Sequence, residues 1–379
     1  MIESPGFLMT VFSFLLVIGP LIFVHEYGHY IVGRWCGVKA DVFSIGFGRE
    51  IFGWTDKRGT RWKIAWMPLG GYVKFAGDMN PASQPTAEWM ALPPEERAQT
   101  FQAKAVWQRF LIVLAGPLTN FLVAIAIFAA FFSFYGEPRP PAQIASVMPQ
   151  SAAARAGLKP GDTIVSINGQ TISRFEDIAP IVSINPGETV DIVLDRGGEQ
   201  SNVPVTLQSL QERDRFGNEF RKGQLGVLAT GRVIVPLAPT EVVGAAIRHT
   251  RDIVSMMVET IGQVFTGRRS VQELGGPLKI AQFSGQQATL GAAAFVEFMA
   301  MISINLGFIN LLPIPLLDGG HLFFYAVEAV RRRPLNPVVQ EWAFRSGLAL
   351  LLGLMLFVTL NDLTSFGLWN HLAGLIGRS

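Results

Sequence analysis

Residues 7–33 read FLMTVFSFLLVIGPLIFVHEYGHYIVG, a run long enough to cross a bilayer that carries His25, Glu26 and His29 within five positions. A bilayer span takes roughly 20 apolar residues, and an ionisable side chain inside one costs roughly 2.5 kcal/mol or more. Three in five positions are hard to explain as an accident of packing. On a helix, His25 and His29 lie about 40° apart and point the same way. Imidazoles stacked one turn apart can bind one zinc ion. Glu26 then stands beside the open position, able to take a proton from an activated water and pass it to a leaving amine. A polar cluster that only ties helices together is the plainer alternative.

Working outward, composition agrees with a membrane protein. Hydrophobic residues make up 49% of the 379 residues and charged residues 16%, against about 25% charged in soluble domains. Mean hydropathy is +0.34. Three further runs could span: about 106–135, about 292–312 and about 346–368. The opening MIESPGF holds an acid and no basic cluster, so it does not read as a secretory signal. A net charge of +2 gives no reason to expect nucleic acid. The single cysteine, Cys36, rules out an intrachain disulfide framework and reads as a small helix-end residue.

Basic residues crowd 34–108, and Arg331-Arg332-Arg333 follows the third span. The positive-inside rule puts both on the cytoplasmic side. Both termini and the long 136–290 segment then lie outside the cytoplasm. Residues 42–75 alternate, with glycine punctuation, and predict short strands turning at Asp56-Lys57-Arg58-Gly59. Residues 78–104 are polar and Pro-rich and read as a loop. Residues 142–230 read as a separate α+β domain, with strands in AQIASVM, DTIVSIN, TVDIVLDR and NVPVTLQ and a short helix in SAAARAGL. Residues 236–290 hold an amphipathic helical linker whose plain reading is a helix against the domain or the membrane surface. Residues 1–135 and 291–379 form two membrane halves.

A hydrolytic zinc usually has three protein ligands and an open position. The metzincin spacing fails, because Val32 and Trp35 stand where Gly and His would be needed. Glu50 lies at a thermolysin-like distance, but Gly46 and Gly48 before it predict strand or turn. The third span ends Asn305-Leu-Gly-Phe-Ile-Asn310-Leu-Leu-Pro313-Ile-Pro315-Leu-Leu-Asp318-Gly319-Gly320-His321. Pro313 and Pro315 end the helix, and two glycines allow a carboxylate to approach another helix. Asp318 is therefore a candidate ligand. Position alone leaves it equally open as the cap of the helix that follows. Asn305 and Asn310 can hold neighbouring helices, a substrate or an oxyanion. His321 is a candidate neighbour of the metal or a packing histidine.

H-E-x-G-H in the first span with N-x-x-P-x-P-x-L-D-G-G-H in the third resembles the site-2 proteases. Among them it is most similar to the bacterial members that cleave anti-sigma factors. The likeness extends to Gly46–Gly48, P-L-G-G-Y-V-K at Pro68–Lys74, and A-G-P-x-x-N at Ala115–Asn120. It implies a polytopic α-helical membrane protein of about four transmembrane helices, with a membrane-associated β-hairpin or sheet after the first and an inserted extracytoplasmic PDZ-like domain. It implies Zn²⁺ held by His25, His29 and Asp318, and Glu26 as general base. Asn310, and less directly Asn305, would hold the substrate. It further implies single-span membrane-protein substrates, a bacterial inner-membrane location and an active site near the cytoplasmic face. One PDZ-like domain appears where several members have two; its partner would be a peptide or a substrate ectodomain, or it is a structural cap. The competing readings are a membrane-bound PDZ scaffold and a transporter, each with a non-catalytic metal site. Against the transporter stands the lack of an inverted repeat.

Overall fold

The structure is a computed structural model describing residues 6–77, 89, 91–139, 142–172, 174–213, 219–229, 231, 233–266 and 275–365. Along the chain, helix α1 (Phe7–Trp35) leads into strands β1 (Ala40–Thr55) and β2 (Arg61–Phe75). A one-turn α2 (Pro94–Ala98) and the long α3 (Val106–Tyr135) follow. Next come β3 (Glu137–Arg139), β4 (Ile144–Val147), α4 (Ala152–Arg155), β5 (Thr163–Ile167) and β6 (Gln170–Thr171). After α5 (Ile178–Ser183) the strands are β7 (Thr189–Arg196), β8 (Glu199–Thr206), β9 (Gln208–Arg213), β10 (Glu219–Gln224), β11 (Val227–Ala229) and β12 (Val233–Val235). The chain ends in helices α6 (Pro239–Phe265), α7 (Pro277–Thr289), α8 (Ala292–Leu311), α9 (Asp318–Arg331) and α10 (Pro337–Ser365). It divides into two compact units, one of residues 1–130 with 243–379 and one of residues 131–242.

Among the described residues, four helices are long and apolar enough to cross a membrane: α1, α3, α8 and most of α10. The expected fourth span began at 346. The helix starts earlier, at Pro337, and the end expected at 366–368 lies outside the described residues. On α10, Leu350, Leu352 and Leu356 are exposed, which suits lipid rather than water. Buried Val17 and Leu21 of α1 pack with Phe295 of α8. Near the other end of α1, Tyr30 joins Phe43, Phe75, Phe101, Ile112 and Tyr325 in a second core.

Glycines mark where helices approach most closely. A Cβ at Gly28 of α1 would strike Thr119 Oγ1 and the Ala115 carbonyl of α3. The glycine between the two histidines is thus a packing requirement for small-residue helix contact.

β1 and β2 are longer than the short strands expected, because each bends and pairs twice. Val42 to Ile45 pair on one side with Lys74 to Gly71 and on the other with Arg61 to Ile64; Glu50 to Thr55 pair with Ala65 to Arg61. The pairing therefore yields four short segments from two continuous strands. Gly46 and Gly48 make the bend at φ +88° and +89°, where other residues are strained. The turn at 56–60 is where the sequence placed it. There Asp56 Oδ1 accepts from the Arg58 and Thr60 amides and Oδ2 from Trp62 Nε1. Of the expected loop 78–104, residues 94–98 form α2, and 78–88 and 90 lie outside the described residues.

The second unit has its own core, with Ile144, Ile164, Ile167, Ile192, Leu194 and Val205 all at or near zero exposure. A four-stranded sheet of order β6-β5-β7-β8 carries it. The four strands and the helix expected within 142–230 form; α4 is capped by Ser151, whose Oγ accepts from Ala154 N at 3.1 Å. Three further pairings, β9 with β10, β11 with β4, and β12 with β3, were not expected; of these strands only β4 lies in a stretch read as a strand. In the linker, the amphipathic helix is α6, and 267–274 lie outside the described residues.

Candidate metal centre

His25 and His29 share one face of α1, and Asp318 is the first residue of α9. A tight loop delivers the acid. Helix α8 stops at Leu311, and Leu316 takes φ +84°, a strained value for a branched residue that costs about 1–3 kcal/mol. A Cβ at Gly319 would strike the carbonyls of Leu311 and Leu312, and one at Gly320 that of Ile314. The paired glycines exist because the loop folds back over the start of α9. The cap reading of Asp318 does not hold: Leu317 occupies the N-cap without a side-chain hydrogen bond.

Instead Asp318 Oδ2 stands 3.2 Å from His25 Nε2 and 3.4 Å from His29 Nε2. The two Nε2 atoms are 3.3 Å apart. Bonds of roughly 2.0–2.1 Å at a tetrahedral zinc place its ligands roughly 3.3–3.4 Å from one another. The three atoms form such a face. Oδ2 is buried and makes no hydrogen bond of good geometry among the described residues, so the three groups converge on a common point. The donor set and its spacing fit a zinc ion.

Both ring orientations are held from α3. His29 Nδ1 donates to the Ile112 carbonyl at 2.9 Å, which leaves Nε2 unprotonated in the neutral ring. Asn120 Nδ2 lies 3.2 Å from His25 Nδ1. Between them Gly116 makes room: a Cβ there would sit on the His29 ring. These positions had appeared in the sequence only as part of A-G-P-x-x-N and the residues before it. Their spacing, 112, 116 and 120, is the signal that marks one helical face.

A cavity of about 540 Å³ opens on the centre, bordered by His25, Glu26, His29, Asn310, Asp318 and the segment Gly70–Val73, among others. Glu26 is buried but outside the three-atom cluster, so its carboxylate remains available for proton transfer. Gly71 presses against it; a Cβ there would lie 2.8 Å from Glu26 Cγ. Asn310 borders the cavity, whereas half-buried Asn305, one turn and a half earlier, does not. His321 borders it too, with its ring 4.9 Å from Phe344. Burial holds the His321 pKa below the ordinary value, against the opposing pull of Asp318. For Asp318 burial pushes upward, but the facing His29 and His25 outweigh it and hold the carboxyl below its usual range. Glu50, the discarded ligand candidate, pairs with Arg61 at 2.5 Å.

Residues 13–354 match the sequence profile of peptidase family M50. The chain is 45% identical over 368 residues to a "Putative zinc metalloprotease" of Agrobacterium fabrum, covering 96% of this chain and 98% of that one. It is 44% identical to a "Putative zinc metalloprotease" of Rhizobium meliloti, over 93% and 96% of the two chains. It is also 35% identical to "Metalloprotease MmpA" of Caulobacter vibrioides, over 98% and 99%. Among solved structures, the PDZ domain of an SdrC-like protein from Listeria monocytogenes is 20% identical, over 24% of this chain and 90% of that one, with a TM-score of 0.20.

Proposed function

This chain belongs to peptidase family M50 and is a multi-pass membrane metalloprotease; from that premise we propose that it is a site-2-type zinc endopeptidase cutting a peptide bond in the transmembrane segment of a single-span protein. The observation that carries the reading is the convergence of His25 Nε2, His29 Nε2 and Asp318 Oδ2 on the first membrane helix, at the separations of a tetrahedral face.

Zinc held by these three residues supplies Lewis acidity toward a water and a peptide carbonyl. The chain supplies the rest. Glu26 takes the proton from the attacking water and returns it to the departing amine. Asn310 donates from its amide to the substrate carbonyl as negative charge builds there. A substrate helix must unwind first, since its amides are already hydrogen-bonded. The Gly71–Phe75 segment, an outer segment of the β1–β2 sheet, borders the cavity and can pair with the unwound strand. Asn305 does not border the cavity, so Asn310 is the better placed of the two to hold the substrate. The basic loops, read by the positive-inside rule, support a centre near the cytoplasmic face of a bacterial inner membrane with residues 142–230 outside. There that PDZ-like unit meets a substrate ectodomain or its terminal peptide. By the same resemblance, an anti-sigma factor is the substrate type to try first.

The test is metal analysis of the purified protein together with cleavage of a single-span substrate in vesicles. About one zinc per chain and cleavage that stops with chelator and returns with zinc support the reading. Unchanged cleavage in chelator, or no divalent metal in active protein, defeats it.

A further inference from the structure

Asn120 meets His25 from the side opposite the metal centre. It is fully buried on α3, and Ser303 Oγ of α8 fixes its backbone by donating to the Asn120 carbonyl at 2.8 Å. Its Nδ2 faces His25 Nδ1 at 3.2 Å, and its Oδ1 is buried with no hydrogen-bond partner among the described residues. In that orientation the amide would donate to Nδ1, and the His25 proton would sit on Nε2. A protonated Nε2 cannot ligate a metal, yet Nε2 is the atom aimed at Asp318 and His29. Turning the amide by 180° exchanges its oxygen and nitrogen with no change of shape. Oδ1 then accepts from Nδ1–H, the unpartnered buried oxygen gains a bond, and the Nε2 lone pair is free. The rotation resolves the conflict at Nε2 and leaves the amide nitrogen, rather than the oxygen, in the buried position that has no partner among the described residues.

We propose that Asn120 is a positioning residue for His25: its side-chain oxygen accepts the Nδ1–H proton and holds Nε2 unprotonated toward the metal. His29 receives the same treatment from the Ile112 carbonyl at 2.9 Å. Both acceptors come from one face of α3, two helical turns apart, with Gly116 between them clearing space for the His29 ring. Helix α3 is thus a template that sets the tautomer of both histidines of α1, one through its backbone and one through a side chain. An acceptor behind a ligand histidine fixes the ring and raises its basicity, and its loss typically weakens metal binding 10–100-fold.

The proposal rests on the zinc reading above, and the experiment separates the two. Zinc affinity of the purified full chain is measured by competition with a chromophoric chelator, for the unaltered protein, Asn120→Leu and Asn120→Asp. Leu keeps the approximate volume without an acceptor; Asp keeps the acceptor. Asn120→Leu is expected to bind zinc about 10–100-fold more weakly, and Asn120→Asp as tightly as the unaltered chain or more so. Equal affinity for Asn120→Leu, or Asn120→Asp as weak as Asn120→Leu, overturns the assignment. A second readout needs no variant and stands if Asn120→Leu fails to fold. 15N spectra of metal-free protein with labelled histidine are expected to show His25 protonated at Nδ1, and an Nε2–H tautomer overturns the proposal. An unaltered chain that binds no zinc defeats the zinc reading; the 15N result then decides the Asn120 assignment by itself.

Discussion

Glu26 separates binding from chemistry, because it borders the cavity without joining the His25, His29 and Asp318 cluster. Glu26→Gln removes the base and keeps the shape. Zinc content is expected to stay at the unaltered level while cleavage of a single-span substrate falls by about 10²–10⁴. Loss of zinc, or cleavage within a few-fold of normal, would count against Glu26 as the base. Asp318→Asn is expected to do the reverse, lowering bound zinc first and activity with it, read by metal analysis. The histidine pair and Glu26 were legible because their spacing is local to one helix. Asp318 was visible as a candidate but open between ligand and cap, since only three-dimensional closure brings it within 3.4 Å of residues some 290 positions earlier. Gly116 was illegible for the same reason: the atom that forbids a Cβ there belongs to His29 on another helix.

Between elements, the fit of α1 against α3 carries a sharper test. Gly116→Val should push the His29 ring out of the three-atom face, so zinc affinity drops while the helical content seen by circular dichroism is kept. Normal affinity would show that the ring has room to move. In the second unit, Asp162 ties its own turn to β7. Arg196 donates from Nε and Nη2 to the two carboxylate oxygens at 2.7 Å, and the Lys159 amide donates at 2.8 Å. The Arg196 hydrogen bonds hold the Asp162 carboxyl below its usual pKa, against the upward push of burial. The unfolded chain, with an ordinary value near 3.9, then binds the proton more tightly than the folded one. The stabilisation is full above that value and is lost as pH falls from about 4 through the lower folded pKa. Hydrogen exchange in β5 and β7, corrected for intrinsic rates, should lose protection over that range, and Asp162→Asn should flatten the dependence. The strands of this sheet were readable because Val190, Ile192 and Leu194 alternate with exposed or half-buried residues. The β9–β10 pair was not, since QSLQER and EFRKGQ offer no apolar alternation. Helix α7 hid for a related reason. Its sequence PLKIAQFSGQQAT is only weakly apolar on one side, and its start is secured from afar, by Asp362 of α10 accepting from the Gly276 and Lys279 amides at 3.1 and 3.2 Å.

Across the whole molecule, four helices among the described residues are apolar enough to cross, and the distribution of charge predicts which way round the chain sits. If each of the four crosses once, the 34–108 loop and Arg331–Arg333 share one side and residues 136–290 the other. Eight basic residues from Arg34 to Lys74 make the cytoplasm the expected place of that first side by the positive-inside rule, and a long segment such as 136–290 crosses largely regardless of its charge. The single native cysteine makes this measurable. Cys36 is replaced by Ser, and one reporter cysteine is placed at Gly198, in the exposed β7–β8 turn, or at Arg58, in the exposed β1–β2 turn. In sealed right-side-out vesicles a membrane-impermeant maleimide should label Gly198→Cys and spare Arg58→Cys until the vesicles are opened. The opposite pattern would invert the protein and put the metal centre on the outer face. Labelling of both in sealed vesicles would contradict a single crossing by α3 between these two turns. Orientation also has a chemical consequence. With the Arg58 side cytoplasmic, a product released there would enter the cytoplasm directly, so the reversed pattern would remove the route by which cutting a membrane-tethered regulator could free its cytoplasmic portion.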